Sequence, residues 1–335
     1  MKTRFFIHIV KRCILFVLPV MLAGCMQTVN NTTASVTMLT TVSDSRGEQR
    51  VSPHPQRIVS YDFGSVDTLL MLNADVIALP LQSVPAYIQR MPHGIWVDAG
   101  GMENPDLSTV RTLKPDLIII TGRQSQQYAQ LKSIAPVLDL SDHPQRYLDS
   151  VKYNVNLLAK LTGALQAAEL ALIRLQMQVD QARSVITGSG YHTLVLIHND
   201  GHFFSIPHPV LFQVLGAIPS EAVLQQVAQE PSQRIPLSIT EIQDDDPDVI
   251  FIIDRSAAIG KTPLDVELWL KKGINQTKAA KQQRIVLLQP DLWYLSGGGL
   301  HSLPLQVEEV LTAYQQFQAN SMNKKMDSAI PPVAP

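Results

Sequence analysis

"LQAAELALIRLQMQVDQARSVI", residues 165–186, runs for 22 residues without a Gly or Pro and is rich in Ala, Leu and Gln. Those side chains lose little rotamer freedom in a helix, so the stretch predicts one unbroken helix. At 1.5 Å per residue it makes a rod of roughly 33 Å. On either side of the rod the chain reads in the same way twice, and that repetition decides the fold.

Before it, "QRIVSYDFGSVDTLLMLNADVIALP" (56–80) gives a strand at 57–61, a turn at "DFGS", helical spacing over 66–72 and a second strand at 76–79. "DLSTVRTL" (106–113) is helix-compatible, "LIIIT" (117–121) is a third strand, and "APVLDL" (135–140) gives a fourth. After it, "HTLVLIHNDG" (192–201) is a strand and turn, "PVLFQVLGA" (209–217) a short helix, "PDVIFIIDR" (247–255) a strand and "RIVLL" (284–288) a central strand of the second half. The tripeptide Pro-Asp-apolar begins at Pro115 and again at Pro247, each time directly before an apolar strand. Strands alternating with helices argue for mainly parallel sheets covered by helices, hence an α/β fold of two Rossmann-like lobes joined by one long helix. The lobes span 51–163 and 188–319, with the linking helix at 164–187. Lobes joined in that way hinge less freely than lobes joined by loops.

The two ends differ from this body. The first residues carry Lys2, Arg4, Lys11 and Arg12, then an apolar run over 13–23 that ends in "LAGC". About 11 apolar residues suit a signal-peptide core better than a bilayer span. The "LAGC" ending resembles a bacterial lipobox, so residues 1–25 read as a lipoprotein signal peptide with Cys25 as the lipidated mature N-terminus. A short membrane anchor with an incidental cysteine also fits. Residues 26–50 are polar and aperiodic and read as a flexible tether, and residues 320–335 read as a disordered tail. The chain would then be exported to the periplasm or cell surface, held by its lipid. Cys13 and Cys25 are the only cysteines, so no disulfide holds the folded body.

Of the 335 residues 45% are hydrophobic and 17% charged, with a formal net charge of −2. That is room for two domains of about 100 to 150 residues each, and the balance argues against a nucleic-acid binder. No P-loop, G-x-S-x-G or His-Glu-x-x-His pattern occurs. His198, His202 and His208 lie in a strand and turn, where their spacing does not gather them on one face as a metal site requires.

In open α/β sheets ligands bind outside the carboxyl ends of strands. The residues there are Tyr61 and Asp62, then Arg123 and Gln124, then His198, Asn199 and His202, then Arg255, and last Trp293 and Tyr294. Arg123 and Arg255 stand at matching strand ends in opposite lobes, and a guanidinium presents a fork of donors suited to oxyanions. Together they imply a cleft for an anionic ligand against aromatic walls, although each taken singly also fits a surface ion pair. Tyr294 fits either a partly buried core position or an oxygen donor to a hard ferric ion. Gly297 to Gly299 let backbone approach a ligand.

"DFGS", "TGRQ", "IIDR" and "WYLSGG", taken with "LKPDLI", resemble the substrate-binding lipoproteins of bacterial ABC importers for ferric siderophores, particularly the catecholate and mixed-catecholate branch, over about residues 51–318. The resemblance implies the class III periplasmic binding protein fold, a ferric siderophore as ligand with no intrinsic cofactor, and an ABC permease with its ATPase as partners. It implies a monomer and no catalysis. By motif it places charge-neutralising arginines at Arg123 and Arg255 and an iron-facing tyrosine at Tyr294. Where some relatives have "SRFG" this chain has "SIPHPVLF" with Pro207 and His208. Where iron-ligating relatives have a histidine, it offers Gln233 and Arg234. Arg234 restores one positive charge there, and contact or hydrogen bonding by Tyr294 becomes a safer expectation than iron ligation. Glu103 and Glu241 are the nearest matches to the acidic residues that dock on a permease, and a solvated acidic surface explains them equally. Cobalamin or haem as ligand, or an enzyme on the same two-lobed fold, are the competing readings.

Overall fold

The computed structural model describes residues 39–228 and 236–329, with backbone alone from 323 onward. Cys25, the leader before it and Arg234 lie outside the described residues. Strand β1 (Thr40–Asp44) pairs antiparallel with β2 (Gly47–Val51). The first lobe then follows with β3 (Ile58–Ser60), β4 (Val76–Leu79), β5 (Val97–Asp98), β6 (Leu117–Ile120) and β7 (Val137–Asp139), all parallel in the order β5-β4-β3-β6-β7. Every residue of β6 is buried, as a strand covered on both faces requires.

The second lobe holds β8 (His192–Asn199), β9 (His202–Ser205), β10 (Ile218–Pro219), β11 (Val249–Asp254) and β12 (Ile285–Leu288). Its parallel order is β10-β8-β11-β12, with β9 folded back antiparallel on β8. The expectation that "RIVLL" is a central strand is corrected: among the described residues β12 pairs with β11 alone and leaves Leu287 45% exposed. An apolar run alone does not separate an edge strand from a central one.

Helix α1 (Phe63–Met71) follows β3, and α2 (Tyr147–Thr162) closes the first lobe, stopped by Gly163 at φ 76. The linking helix α3 (Leu165–Ser189) comes next and ends at Gly190, φ 68. It buries Ala168, Leu175, Val179, Ala182 and Ile186 along one stripe. Helix α4 (Ser302–Ala329) packs against it. One hydrophobic core runs without a break from Ile58, Leu69 and Leu117 through Leu175 and Val179 to Val195, Phe251, Val310 and Tyr314. The outer face of each sheet has its own smaller cluster, around Ile118 and Val137 in the first lobe and around Ile250 and Trp269 in the second.

Two boundaries read from the sequence are revised. The tether does not extend to residue 50, because "TTVSD" and "GEQRV" form the β1–β2 hairpin, which buries Val42 and Val51. Arg46 Nε donates to Asp139 Oδ2 at 2.7 Å and Ser45 N–H to the Asp139 carbonyl at 3.1 Å, fastening the hairpin to β7. Thr and Val supply the strand tendency that the polar composition hides. At the other end, α4 continues to Ala329 rather than stopping near 319. Residues 320–329 contain no Gly or Pro to halt it, and Pro331 and Pro332 follow. No helix among the described residues is long and apolar enough to cross a membrane.

The two lobes meet where α1 faces the segment before α4. Asp67 of α1 is fully buried, and the backbone N–H groups of His301 and Ser302 donate to its carboxylate at 3.1 and 3.0 Å. The Tyr87 hydroxyl adds a third bond at 3.0 Å, and Leu300 N–H donates to Thr68 Oγ1 at 3.1 Å. Burial pushes the Asp67 carboxyl up to about 7, against the hydrogen bonds that hold it down. The approach is so close that a Cβ on Gly64 would lie 2.1 Å from the Gly297 carbonyl oxygen, and one on Gly299 would lie 2.0 Å from Asp67 Oδ1. Gly64→Ala must therefore push backbone against backbone. It is expected to lower unfolding stability by about 3 kcal/mol, measured by urea denaturation.

Candidate functional site

In the first lobe the strand order reverses between β3 and β6, and in the second between β8 and β11. The crevices at these switch points lie outside the carboxyl ends of the strands. Tyr61 and Asp62 leave β3, Thr121 to Arg123 leave β6, Asn199 ends β8 and Arg255 follows β11. The topology thus delivers one arginine from each lobe to the same opening.

Tyr294 lies between them. Arg123 Nη2 donates to the Tyr294 carbonyl at 2.8 Å, and Arg255 Nε donates to the Tyr294 hydroxyl at 2.6 Å. Both guanidinium carbons lie over the Tyr294 ring, 5.6 and 5.4 Å from its centre. Arg255 Nη1 also donates to Asn199 Oδ1 at 2.7 Å. Each guanidinium has five N–H donors, so both keep donors for a further oxyanion. The residue before Arg255 fixes its place: buried Asp254 accepts from Ala257 N–H at 3.1 Å and Leu264 N–H at 2.7 Å and pairs with His198 Nδ1 at 2.8 Å.

Beside this group opens a cavity of about 390 Å³, lined in part by Tyr61, Asp62, Arg123, Asp142, Tyr147 and His208. Asp62 caps α1, accepting from Ser65 N–H at 2.9 Å and Ser65 Oγ at 2.6 Å. Burial raises its carboxyl, while the Ser65 bonds and the Arg123 charge oppose the rise. Asp142 follows β7 and carries no hydrogen bond among the described residues. Desolvation, with the Asp62 charge added, pushes it up to about 7 although solvent still reaches it in the open cleft. Desolvation pushes the His208 imidazole down to about 4, so it is neutral at physiological pH.

Two single π-helical turns frame the cavity. Val210–Val214 follows His208 and Pro209, where the sequence suggests an ordinary short helix, and Asp291–Leu295 carries Trp293 and Tyr294. Such turns recur at functional sites because they re-aim side chains.

The residues expected from the sequence separate into groups. Tyr61, Asp62 and Arg123 line the cavity, and Arg255 and Tyr294 adjoin it. Tyr61 is wall only, since it is fully buried and donates to the Ala99 carbonyl at 2.8 Å. Trp293 belongs to the core behind the cavity. It is 4% exposed, donates from Nε1 to Glu309 Oε2 at 2.6 Å, and packs its ring 5.0 Å from that of His208. Gln124 is corrected: it is fully buried, accepts from Thr121 N–H at 3.0 Å and donates to the Met102 carbonyl, so it holds the turn that presents Arg123 and does not face the cavity. His202 is exposed on β9 and bonds to the Asp200 carbonyl at 3.1 Å, away from the cavity lining. Glu103 is exposed in the loop before Pro105. Glu241 is also exposed, but its carboxylate accepts from Ser238 N–H at 2.7 Å in a capping box.

The sequence profile described as "Periplasmic binding protein" matches residues 58–292. The chain belongs to that family. It is 29% identical over 267 residues to the petrobactin-binding protein YclQ of Bacillus subtilis, covering 78% of this chain and 83% of that one. The crystal structure of YclQ superposes with a TM-score of 0.77 at 28% identity, covering 83% of this chain and 99% of that one. The ferric-anguibactin-binding protein FatB of Vibrio anguillarum is 26% identical over 284 residues, covering 82% and 87%. The siderophore-binding protein BauB, solved with two acinetobactin molecules and ferric iron, has a TM-score of 0.74 at 26% identity, covering 83% and 99%. The fold is that of class III periplasmic binding proteins.

Among the cavity residues of this periplasmic binding protein not singled out from the sequence are the polar side chains of Asp142, Tyr147 and Gln306. Asp142 is within reach of the strand-end rule, since it follows "VLD" of β7. Tyr147 and Gln306 begin or lie within helices, and no sequence signal marks them. Asp142 also gives a pH test. Its folded value of about 7 exceeds the ordinary 3.8, so the stability it contributes is present below about 4 and is lost as pH rises through 7. Asp142→Asn is expected to melt above the wild type at pH 8 and to converge with it at pH 4, followed by circular dichroism.

Proposed function

We propose that the cleft captures a ferric siderophore of catecholate or mixed-ligand type and that the chain delivers it to an ABC permease and its ATPase for iron uptake, without catalysis. The convergence of Arg123 and Arg255, one from each lobe, on the carbonyl and hydroxyl of Tyr294 carries this reading. Two fixed cations with unspent donors favour an anionic chelate, because charge-assisted bonds to oxyanions are about twice as strong as neutral ones. The named ligands of the YclQ, FatB and BauB relatives support the siderophore class.

In this reading Arg123 and Arg255 neutralise the chelate and the Tyr294 hydroxyl contacts it. Tyr61 supplies wall, Gln124 and Trp293 hold their neighbours in place, and Arg234 adds one positive charge. The protein supplies no direct iron ligand, and iron arrives as cargo already held by the siderophore. Cys25 carries the lipid that tethers a monomer to the membrane, and Glu103 and Glu241 meet the permease.

Tryptophan fluorescence tests the proposal, since Trp293 packs directly on the cavity residue His208. Ferric catecholates are expected to quench at micromolar concentration, while cobalamin, haem and ferric hydroxamates do not. No quenching by any ferric catecholate would overturn it. Replacing Arg123 and Arg255 together by Ala is expected to weaken an anionic ferric chelate roughly 100-fold and a neutral one far less.

A further inference from the structure

The arginines explain one side of the cleft and leave the other unexplained. Tyr147, Gln306 and Asp142 gather around the backbone of Gly297 and Gly298. A Cβ built on Gly297 would lie 3.4 Å from the Tyr147 hydroxyl and 3.7 Å from Gln306 Oε1. One on Gly298 would lie 3.4 Å from the same hydroxyl and 3.7 Å from Asp142 Oδ2. All three side chains line the cavity.

Gln306 is the telling member. It is 1% exposed, its Nε2 donates to the Leu292 carbonyl at 3.3 Å, and its Oε1 has no partner among the described residues. Turning the amide over does not help, because Leu292 offers only an acceptor and so requires the NH₂ group. A buried acceptor left unpaired pays its desolvation with no hydrogen bond in return, so the site favours an incoming donor. Asp142 is the second unspent acceptor. Asp62 feels the Arg123 charge, whereas among the described residues the charge that acts on Asp142 is the like charge of Asp62. A carboxylate facing an arginine-bearing cleft, with no cation of its own among the described residues, works against an anionic ligand unless part of that ligand is positive.

We infer that Asp142, Gln306 and Tyr147 form a subsite for a protonated amine carried by the chelating ligand, so that the cleft selects a chelate with an anionic iron centre and a cationic arm. The inference rests on the reading of the cleft as a ferric-chelate site. The ammonium donates to Asp142 Oδ2 and Gln306 Oε1, while the iron-bearing end remains with Arg123, Arg255 and Tyr294. The arm thereby turns the chelate to one orientation.

The test uses two ferric bis-catecholates built on diethylenetriamine, one with its central amine free and protonated, the other with that amine acetylated. Acetylation makes the chelate more anionic, so the arginines alone would favour the acetylated form. The wild-type chain is expected to bind the free-amine chelate about tenfold more tightly in fluorescence titration. Asp142→Asn should abolish the preference by weakening that chelate alone. Equal binding of both by the wild type, or equal weakening of both by the substitution, overturns the subsite while leaving the ferric-chelate reading standing. Binding of neither overturns both. The wild-type comparison decides the matter even where the variant fails to fold.

Discussion

The Asp67 carboxylate is the constraint on which the arrangement depends. It belongs to the first lobe, yet it accepts the first N–H groups of α4, a helix that follows the whole second lobe. A negative group at a helix start is favoured by the unpaired N–H groups there, and burial of the pair makes the contact specific in position. Gly64 and Gly299 make room for it, where a side chain would collide with backbone and with the Asp67 carboxylate respectively. The clamp returns the chain to the first lobe, lays α4 along α3, and leaves the preceding turn with Tyr294 between the arginines of the two lobes.

Around that clamp the site follows from topology. Two sheets of the same winding present their switch points to one cleft, so residues far apart in sequence become neighbours without long loops. The cleft also keeps electrostatic tension. The Asp62 charge adds to the burial that raises the Asp142 carboxyl, and His208 stays neutral beside them. Such unsatisfied groups reduce stability, and their concentration at a ligand site is the common pattern for groups that a ligand will later complement.

Much of this was legible in the sequence because parallel strands buried on both faces are continuous apolar runs and their ends are marked by turn residues. "LIIITGRQ" and "PDVIFIIDR" located Arg123 and Arg255 in that way, and the Gly-free, Pro-free stretch located α3. The hairpin at 40–51 was hidden by polar composition, since two short strands at the edge of a lobe bury Val42 and Val51 as their apolar residues, with polar Gln49 beside them. The end of α4 was hidden because "NSMNKK" reads as polar tail or as exposed helix with equal ease. Gln124 sits beside Arg123 in sequence but points inward, a distinction made by the capping geometry of its turn rather than by residue type. Tyr147 and Gln306 reach the cavity from helices, where only tertiary packing selects the facing residue.

The core that passes unbroken through α3 and α4 bears on how the chain folds and fails. Apart from the smaller cluster on its outer face, neither lobe has a core of its own, because the inner faces of both sheets share one core with Leu175, Val179, Val310 and Tyr314. Loss of one lobe strips cover from the other, so the two melt as a single cooperative transition rather than in sequence. A cut at the lobe boundary leaves no half with a complete interior, and a defect in either sheet is felt as lowered abundance of the whole protein.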